Sequence, residues 1–193
     1  QAIRRQMQGR MHAFGHFLLR QAQQSPFQVL HTEVTFGGPR GQGLQGFTYP
    51  LASKGHLTIR GKIDRIDRLV HQDQAYLQVI DYKSGQKNFN LVDAYYGLDL
   101  QVLTYLAVAH QHYPDHRLVG GFYQPILYKY ETGKDLDWTG SASLQEDAYL
   151  RRNRLKGFVN QPAEVLSDLE VRQDAKGQSL IYPVTYTKSG YHK

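Results

Sequence analysis

Three short stretches carry the residue types best suited to chemistry: Gly61-Lys62-Ile63-Asp64, Asp81-Tyr82-Lys83, and Gln101 with Tyr105. Alternate side chains of an extended strand share a face, so Asp81 and Lys83 are expected to point the same way, an acid beside a cation. If a hairpin brings Asp64 next to Asp81, two carboxylates converge, which is costly unless a divalent cation neutralises them. Mg²⁺ suits such a place because it prefers oxygen ligands, keeps several waters and is held by one or two carboxylates plus a substrate phosphate. The Tyr82 main-chain carbonyl is a candidate for one more ligand. The Lys83 ammonium would then position an attacking water and offset charge building on the phosphate. Acid, metal and lysine together make a phosphodiester hydrolase. Gln101 and Tyr105 stand four apart on an expected helix and share one of its faces, where an amide and a phenol can orient the site or contact a DNA backbone.

The elements that must position these residues are visible in the hydrophobic pattern. Ile3, Met7, Met11, Phe14 and Leu18 recur at helical spacing, which predicts an amphipathic helix over residues 2–23, ended by Ser25-Pro26. A strand is expected over Val29 to Phe36. The glycines 37, 38, 41, 43 and 46 that follow read as a flexible, solvated loop; no Lys-Ser/Thr follows them, so a P-loop is excluded. Leu57 to Leu69 and Tyr76 to Lys83 alternate as two strands around the turn His71-Gln72-Asp73-Gln74, a hairpin. Leu91 to Gln111 reads as one largely buried helix closed by Pro114, and Leu118 to Leu127 as a core strand. Asp147 to Gly157 reads as a short basic helix, and Leu180 to Tyr186 as a last strand.

Several charged groups have plainer readings. Asp-x-Lys alone is common by chance, and Gln101 with Tyr105 alone would be two satisfied polar groups on a buried helix. Glu33 reads either as an acid supporting the site from behind or, more plainly, as a strand-edge charge, and Arg65, Asp67 and Arg68 as surface ion pairs. The cluster from Arg151 to Lys156 reads as a solvated helix face as readily as a phosphate contact. His110, His112 and His116 suit capping or solvation better than a metal.

Composition sets outer bounds. The 193 residues suit one domain with a real core, and 40% of them are apolar. Lys and Arg exceed Asp and Glu by 23 to 17, a net charge of +6 that favours an anionic partner such as nucleic acid. With no cysteine, disulfides, thiolate zinc sites and thiol nucleophiles are excluded, and a reducing cytosol is compatible. No apolar run approaches the roughly 20 residues that span a bilayer, and Gln1-Ala2-Ile3-Arg4-Arg5 is no secretory signal, so no membrane role is expected. The absent initiator Met and abrupt ends lead to the expectation of a piece of a larger chain.

The motifs Gly61-Lys62-Ile63-Asp64-Arg65-Ile66-Asp67, Val79-Ile80-Asp81-Tyr82-Lys83-Ser84-Gly85 and Tyr95-Tyr96-Gly97-Leu98-Asp99-Leu100-Gln101-Val102-Leu103-Thr104-Tyr105-Leu106 resemble, in order and spacing, those of the RecB-like branch of the PD-(D/E)xK superfamily. Within that branch the chain is similar to the nuclease domains of the AddB/RexB family. His31 to Gly37, Gly121 to Ile126 and Arg154 to Val159 share the resemblance, so it covers nearly the whole sequence. It implies an α/β fold of restriction-endonuclease type, a mixed β-sheet flanked by helices, with residues 1–193 forming one RecB-like nuclease domain within a larger helicase–nuclease polypeptide. It further implies Mg²⁺-dependent cleavage of DNA, with Mn²⁺ an alternative ion, in double-strand break repair and recombination. The partner would be an AddA/RexA-type protein that supplies the motor, in the cytoplasm. Residue by residue, Asp64 and Asp81 become metal ligands, Lys83 the catalytic lysine, and Gln101 with Tyr105 the helix motif.

Two departures qualify the match. Relatives usually carry a metal-binding His on an upstream helix; His16 is the only nearby candidate and its position does not fit. That ligand is therefore expected outside these residues, which leaves the activity of the isolated stretch open. Some AddB proteins hold an iron–sulfur cluster through flanking cysteines, and the absence of cysteine here does not decide whether the parent has one. Strand polarity, endo- or exonucleolytic action and control by Chi-like sites also stay open. The competing readings are an inert nuclease-fold module for DNA binding or assembly, and a free-standing RecB-like nuclease.

Overall fold

Residues 61–83 form the long hairpin that their alternation predicts. β4 (Gly61–His71) and β5 (Gln74–Lys83) pair antiparallel from Arg65 opposite Ile80 to His71 opposite Gln74. The two linking residues, Gln72 and Asp73, have φ of 48° and 63°. Left-handed φ at both central positions gives the two-residue turn whose twist matches that of the strands.

The computed structural model describes residues 2–39, 42–52, 54–85, 87–126, 147, 149–161, 165–166, 177–187 and 190–192. The remaining elements are α1 (Ala2–Gln23), β1 (Gln28–Phe36), β2 (Thr48–Pro50), β3 (His56–Thr58), α2 (Leu91–Tyr95), α3 (Gln101–His112), β6 (Arg117–Pro125), β7 (Lys156–Val159), β8 (Thr185–Thr187) and β9 (Gly190–His192). Five strands form one sheet in the order β1-β4-β5-β6-β7, and β2-β3 and β8-β9 make two-stranded sheets. The fold is α/β with a mixed sheet and flanking helices. No helix among the described residues is long and apolar enough to cross a membrane.

By internal packing the chain falls into two compact units. One comprises Phe27–Asp81 and Phe89–Phe122; the other comprises Gln1–Pro26, Tyr82–Asn88 and Tyr123–Lys193. In the first, Ile63, Ile66, Leu77, Val79, Val102 and Val108 are fully buried, on both faces of β4 and along β5 and α3. In the second, Phe14 and Phe17 of α1 form a core with Leu150 and Leu180, against which Leu18, Tyr82 and Ile126 pack.

Four sequence expectations change. The α1 stripe is not buried as a whole: Ile3, Met7 and Met11 are exposed, and the covered positions are Phe14, Phe17 and Gln21, with Gln21 Nε2 donating to Gln124 Oε1 at 3.1 Å. The expected helix from Leu91 to Gln111 is two helices. Asn90 caps the first by accepting from the Val92 and Asp93 N–H groups, and Gly97, with φ of 78°, breaks the run before Gln101. Leu98 and Leu100 consequently lie outside α3 and are exposed. The stretch from Leu57 to Leu69 is likewise divided, between β3 and β4. The basic helix does not reach Gly157: the chain turns at Asn153 and runs on as β7, and Arg154 donates to the Ser179 and Val184 carbonyls at 3.2 and 3.3 Å. Arg154 is thus a strut between loops. Burial, together with Arg154, lowers the pKa of Lys156, the burial acting first.

Smaller differences follow the same logic. Residues 180–182 are a buried turn, not a strand, because Ser179 Oγ accepts the N–H groups of Ile181 and Tyr182; β8 begins only at Thr185. Leu127, the expected end of β6, lies outside the described residues. The glycine loop is tied down: Leu44 N–H donates to Thr35 O at 2.7 Å and Gln45 N–H to His112 Nε2 at 2.6 Å. Gly43 has φ of 74°, and a Cβ there would lie 2.2 Å from Thr35 O, so only glycine fits this approach.

Two measurements test the hairpin end. Replacing Gln72-Asp73 by Asn-Gly supplies residues that tolerate left-handed φ and is expected to stabilise the fold by about 1 kcal/mol, read as a higher urea midpoint at constant m. His116, whose ring meets Tyr113 edge-on at 5.3 Å, has its pKa lowered by burial first and then by Arg68, against an opposing effect of Asp115. A base with a lowered folded pKa binds its proton more weakly than in the unfolded chain. Its contribution to stability is therefore complete above about pH 6.5 and lost as pH falls through the folded value. His116→Gln should flatten the acid side of the stability curve in that window.

Candidate active site

The hairpin register decides where the two carboxylates stand. The paired rungs end at Arg65 opposite Ile80, and one further step places Asp64 opposite Asp81. Directly opposed side chains share a face with Cβ atoms about 5 Å apart, so Asp64 and Asp81 fall on one face with Lys62 and Ile66. The other face of β4 carries Arg65 and Asp67. There, Asp67 is fully buried and accepts from Arg65 Nε at 2.6 Å and from Gln78 Nε2 at 3.0 Å. The pair read as a surface salt bridge is therefore a buried one, because its face of the hairpin is covered.

Asp81 is 2% exposed, and its Oδ1 accepts from Gln101 Nε2 at 2.8 Å. The same amide lies 2.9 Å from the Tyr105 hydroxyl, to which it also donates. Gln101 opens α3 and Tyr105 follows one turn later, so the helix presents amide and phenol together on the carboxylate. Tyr105 is held in turn by Phe36, edge-on at 5.9 Å and 78°. Phe36 pairs with Gly61, and a Cβ at Gly61 would come within 2.6 Å of its ring. The glycine of the first motif thus makes room for the aromatic ring that supports Tyr105.

Lys62 has a defined place that sequence reasoning did not assign. Its ammonium pairs with the Glu33 carboxylate, and both side chains are more than half exposed. Its pKa is raised, first by the hydrogen bond to Glu33 and then by that carboxylate's charge, with Asp64 and Tyr105 adding to the effect against some desolvation. The available signal was symmetry of spacing: Lys62 precedes Asp64 by two residues as Lys83 follows Asp81 by two. Glu33 is a charge on an edge strand, as expected, and its partner is Lys62.

Lys83 and Tyr82 belong to the other unit. The Lys83 ammonium lies 5.3 Å from the centre of the Tyr123 ring, and its carbonyl accepts from Ile126 N–H at 2.8 Å. The Tyr82 ring meets Phe14 edge-on at 6.0 Å. His16 is exposed on α1, in a shallow groove with Met11, His12 and Leu19. Among the described residues no group of three or more His, Asp, Glu or Cys side chains gathers as a metal cage. Two carboxylates one step past the last paired rung are nevertheless a donor set that suits Mg²⁺, which takes its remaining ligands from water and phosphate.

A buried Asp steadied by a glutamine and a tyrosine, opposite a second Asp and followed by Lys two residues on, is a pattern with known counterparts. The family model described as the PD-(D/E)XK nuclease superfamily matches residues 1–176. The chain belongs to that superfamily. Among curated proteins it is 38% identical over 170 residues to the B component of the ATP-dependent helicase/deoxyribonuclease of Enterococcus faecalis, covering 86% of this chain and 14% of that protein. The like-named B components from Latilactobacillus sakei and Lysinibacillus sphaericus are each 34% identical, over 97% and 90% of this chain and 17% and 15% of theirs. The chain therefore spans about one-sixth of the length of these relatives.

Within this PD-(D/E)XK chain the support of Tyr105 is open to test. Gly61→Ala should push the Phe36 ring off its place and destabilise the protein by about 1–3 kcal/mol, as overpacking does. Combining it with Phe36→Leu should recover part of that loss; equal unfolding midpoints for single and double variants would break the proposed chain of contacts.

Proposed function

We propose that this chain is the DNA-cleaving domain of the B component of a helicase–nuclease, one domain of a longer protein, which hydrolyses phosphodiester bonds with a divalent metal ion. The observation that carries the reading is the buried Asp81 carboxylate, held by Gln101, which also donates to Tyr105, one step past the last paired rung of the hairpin, where Asp64 follows Arg65. The superfamily membership and the names of the relatives support it.

In this reading Asp64 and Asp81, with the Tyr82 main-chain carbonyl, hold Mg²⁺ or Mn²⁺. The bound ion supplies Lewis acidity toward the phosphate and lowers the pKa of water. Gln101, by donating to Oδ1 of Asp81, fixes which lone pairs of that carboxylate point into the site, and Tyr105 fixes Gln101. Lys83 stands at the attacking water and at the phosphate oxygens, where its charge offsets the charge that develops as the water oxygen bonds to phosphorus and the ester bond breaks. The departing oxygen takes a proton, leaving one hydroxyl end and one phosphate end.

The substrate is DNA, cut from its ends during the processing and recombination of double-strand breaks, in the cytoplasm. The partner is an AddA/RexA-type protein whose motor feeds the strand. These 193 residues contain no cysteine and so contribute no thiolate to an iron–sulfur cluster.

The test is cleavage of end-labelled DNA by the assembled helicase–nuclease, comparing wild type with Lys83→Ala and Asp81→Asn. Each substitution should lower cleavage of one strand by about 10²–10³-fold while ATP-driven unwinding persists, and EDTA should abolish the cut in the wild type. Unchanged cleavage of both strands would instead make this an inert nuclease-fold module.

A further inference from the structure

The proposed reaction uses one of the two lysines that flank the carboxylates. We infer that Lys62 is a second working cation of the same site: it binds a phosphate of the DNA beside the one being cut, and Glu33 holds it in position until the strand arrives. This inference rests on the nuclease reading and extends it to substrate binding.

Position is the first argument. Side chains two apart on a strand share a face, so Lys62 stands on the Asp64 face of β4, where the register also puts Asp81. A strand of DNA brought to these carboxylates therefore passes within reach of Lys62.

Access is the second argument. Lys62 and Glu33 keep 52% and 61% of their side-chain surface exposed, so a phosphate can approach the ammonium without unfolding anything. An exposed ion pair is weak in water, and a backbone phosphodiester, a monoanion with two non-bridging oxygens, gives the same ammonium an equivalent partner. The exchange of Glu33 for phosphate is thus a cheap one. A face that presents two carboxylates repels DNA, and a cation next to them corrects that.

The backbone supplies the third argument. Glu33 has φ of 53° although it lies inside β1, between the rungs Thr32–Arg65 and Val34–Ile63. The other non-glycine residues with positive φ, among those described, are Lys54 in a loop and Gln72 and Asp73 in the hairpin turn. A left-handed conformation is unfavourable for a residue with a Cβ, and a weak surface ion pair does not offset it. Such local strain clusters where a side chain must be aimed for a task. Aiming Glu33 at Lys62 is that task.

The experiment is DNA binding by the 193-residue chain with Ca²⁺ in place of Mg²⁺, using a labelled single-stranded oligonucleotide over a series of salt concentrations. Lys62→Ala should weaken binding and reduce the slope of log K against log salt by about 0.7, the share of one single-strand phosphate contact. Lys62→Arg should keep the wild-type slope, and Glu33→Gln, which removes the competing carboxylate, should tighten binding. An unchanged slope in Lys62→Ala would make the pair a surface ion pair only and overturn the inference. So would an equal loss in Lys62→Arg, or weaker binding in Glu33→Gln. The nuclease reading fails separately, in the cleavage assay, whichever way these slopes fall.

Discussion

Everything at this site depends on keeping a carboxylate where water cannot reach it. Asp81 is almost wholly buried, and an ionised acid in that position is unfavourable unless donors or cations take the place of its hydration. Gln101 provides one charge-assisted hydrogen bond, and a glutamine can do so only if its own amide is steered. Tyr105 steers it, Phe36 steadies Tyr105, and Gly61 leaves room for Phe36. Each step of that series is an ordinary contact. Together they orient one oxygen-rich group, whose remaining need for positive charge is what the proposed divalent ion would meet.

The hairpin makes the series possible, and register is its sensitive quantity. A slip of one residue between β4 and β5 would turn Asp64, together with Lys62 and Ile66, to the opposite face, away from Asp81. The tight turn at Gln72-Asp73 prevents this by allowing only one pairing of His71 with Gln74. The turn lies seven rungs from the carboxylates, so the geometry of the site is set at a distance by backbone hydrogen bonds and by alternating apolar side chains. The same pleat sorts the charges of β4. Lys62 and Asp64 go to one face of the strand, and Arg65 and Asp67 to the other, where they neutralise each other.

Much of this was legible in the sequence because period two and period 3.6 are local properties. The hairpin and the shared face of Gln101 and Tyr105 follow from spacing alone, and the convergence of Asp64 with Asp81 is what that hairpin would bring about. What spacing could not convey was which apolar stripe finds a partner. Ile3, Met7 and Met11 have the same periodicity as Phe14 and Phe17, yet only the latter meet Leu150 and Leu180, far away in the chain. Nor could it show that a lone glycine would outweigh a strongly helical flank. Gly97 divides the expected helix, and the break makes Gln101 the first residue of α3.

That break also explains why the amide works where it does. In the middle of a long helix, Gln101 would have its neighbours one turn earlier crowding the approach to β5. At the first turn those positions are Gly97, which has no side chain, and the exposed Leu98, both in the loop. A residue at a helix start also sits where main-chain N–H groups lack intrahelical partners, an environment that favours negative charge. Asp81 therefore approaches α3 at the end best suited to an anion. The glycine that defeats the simple reading of the helix is the feature that lets its first side chain reach the acid.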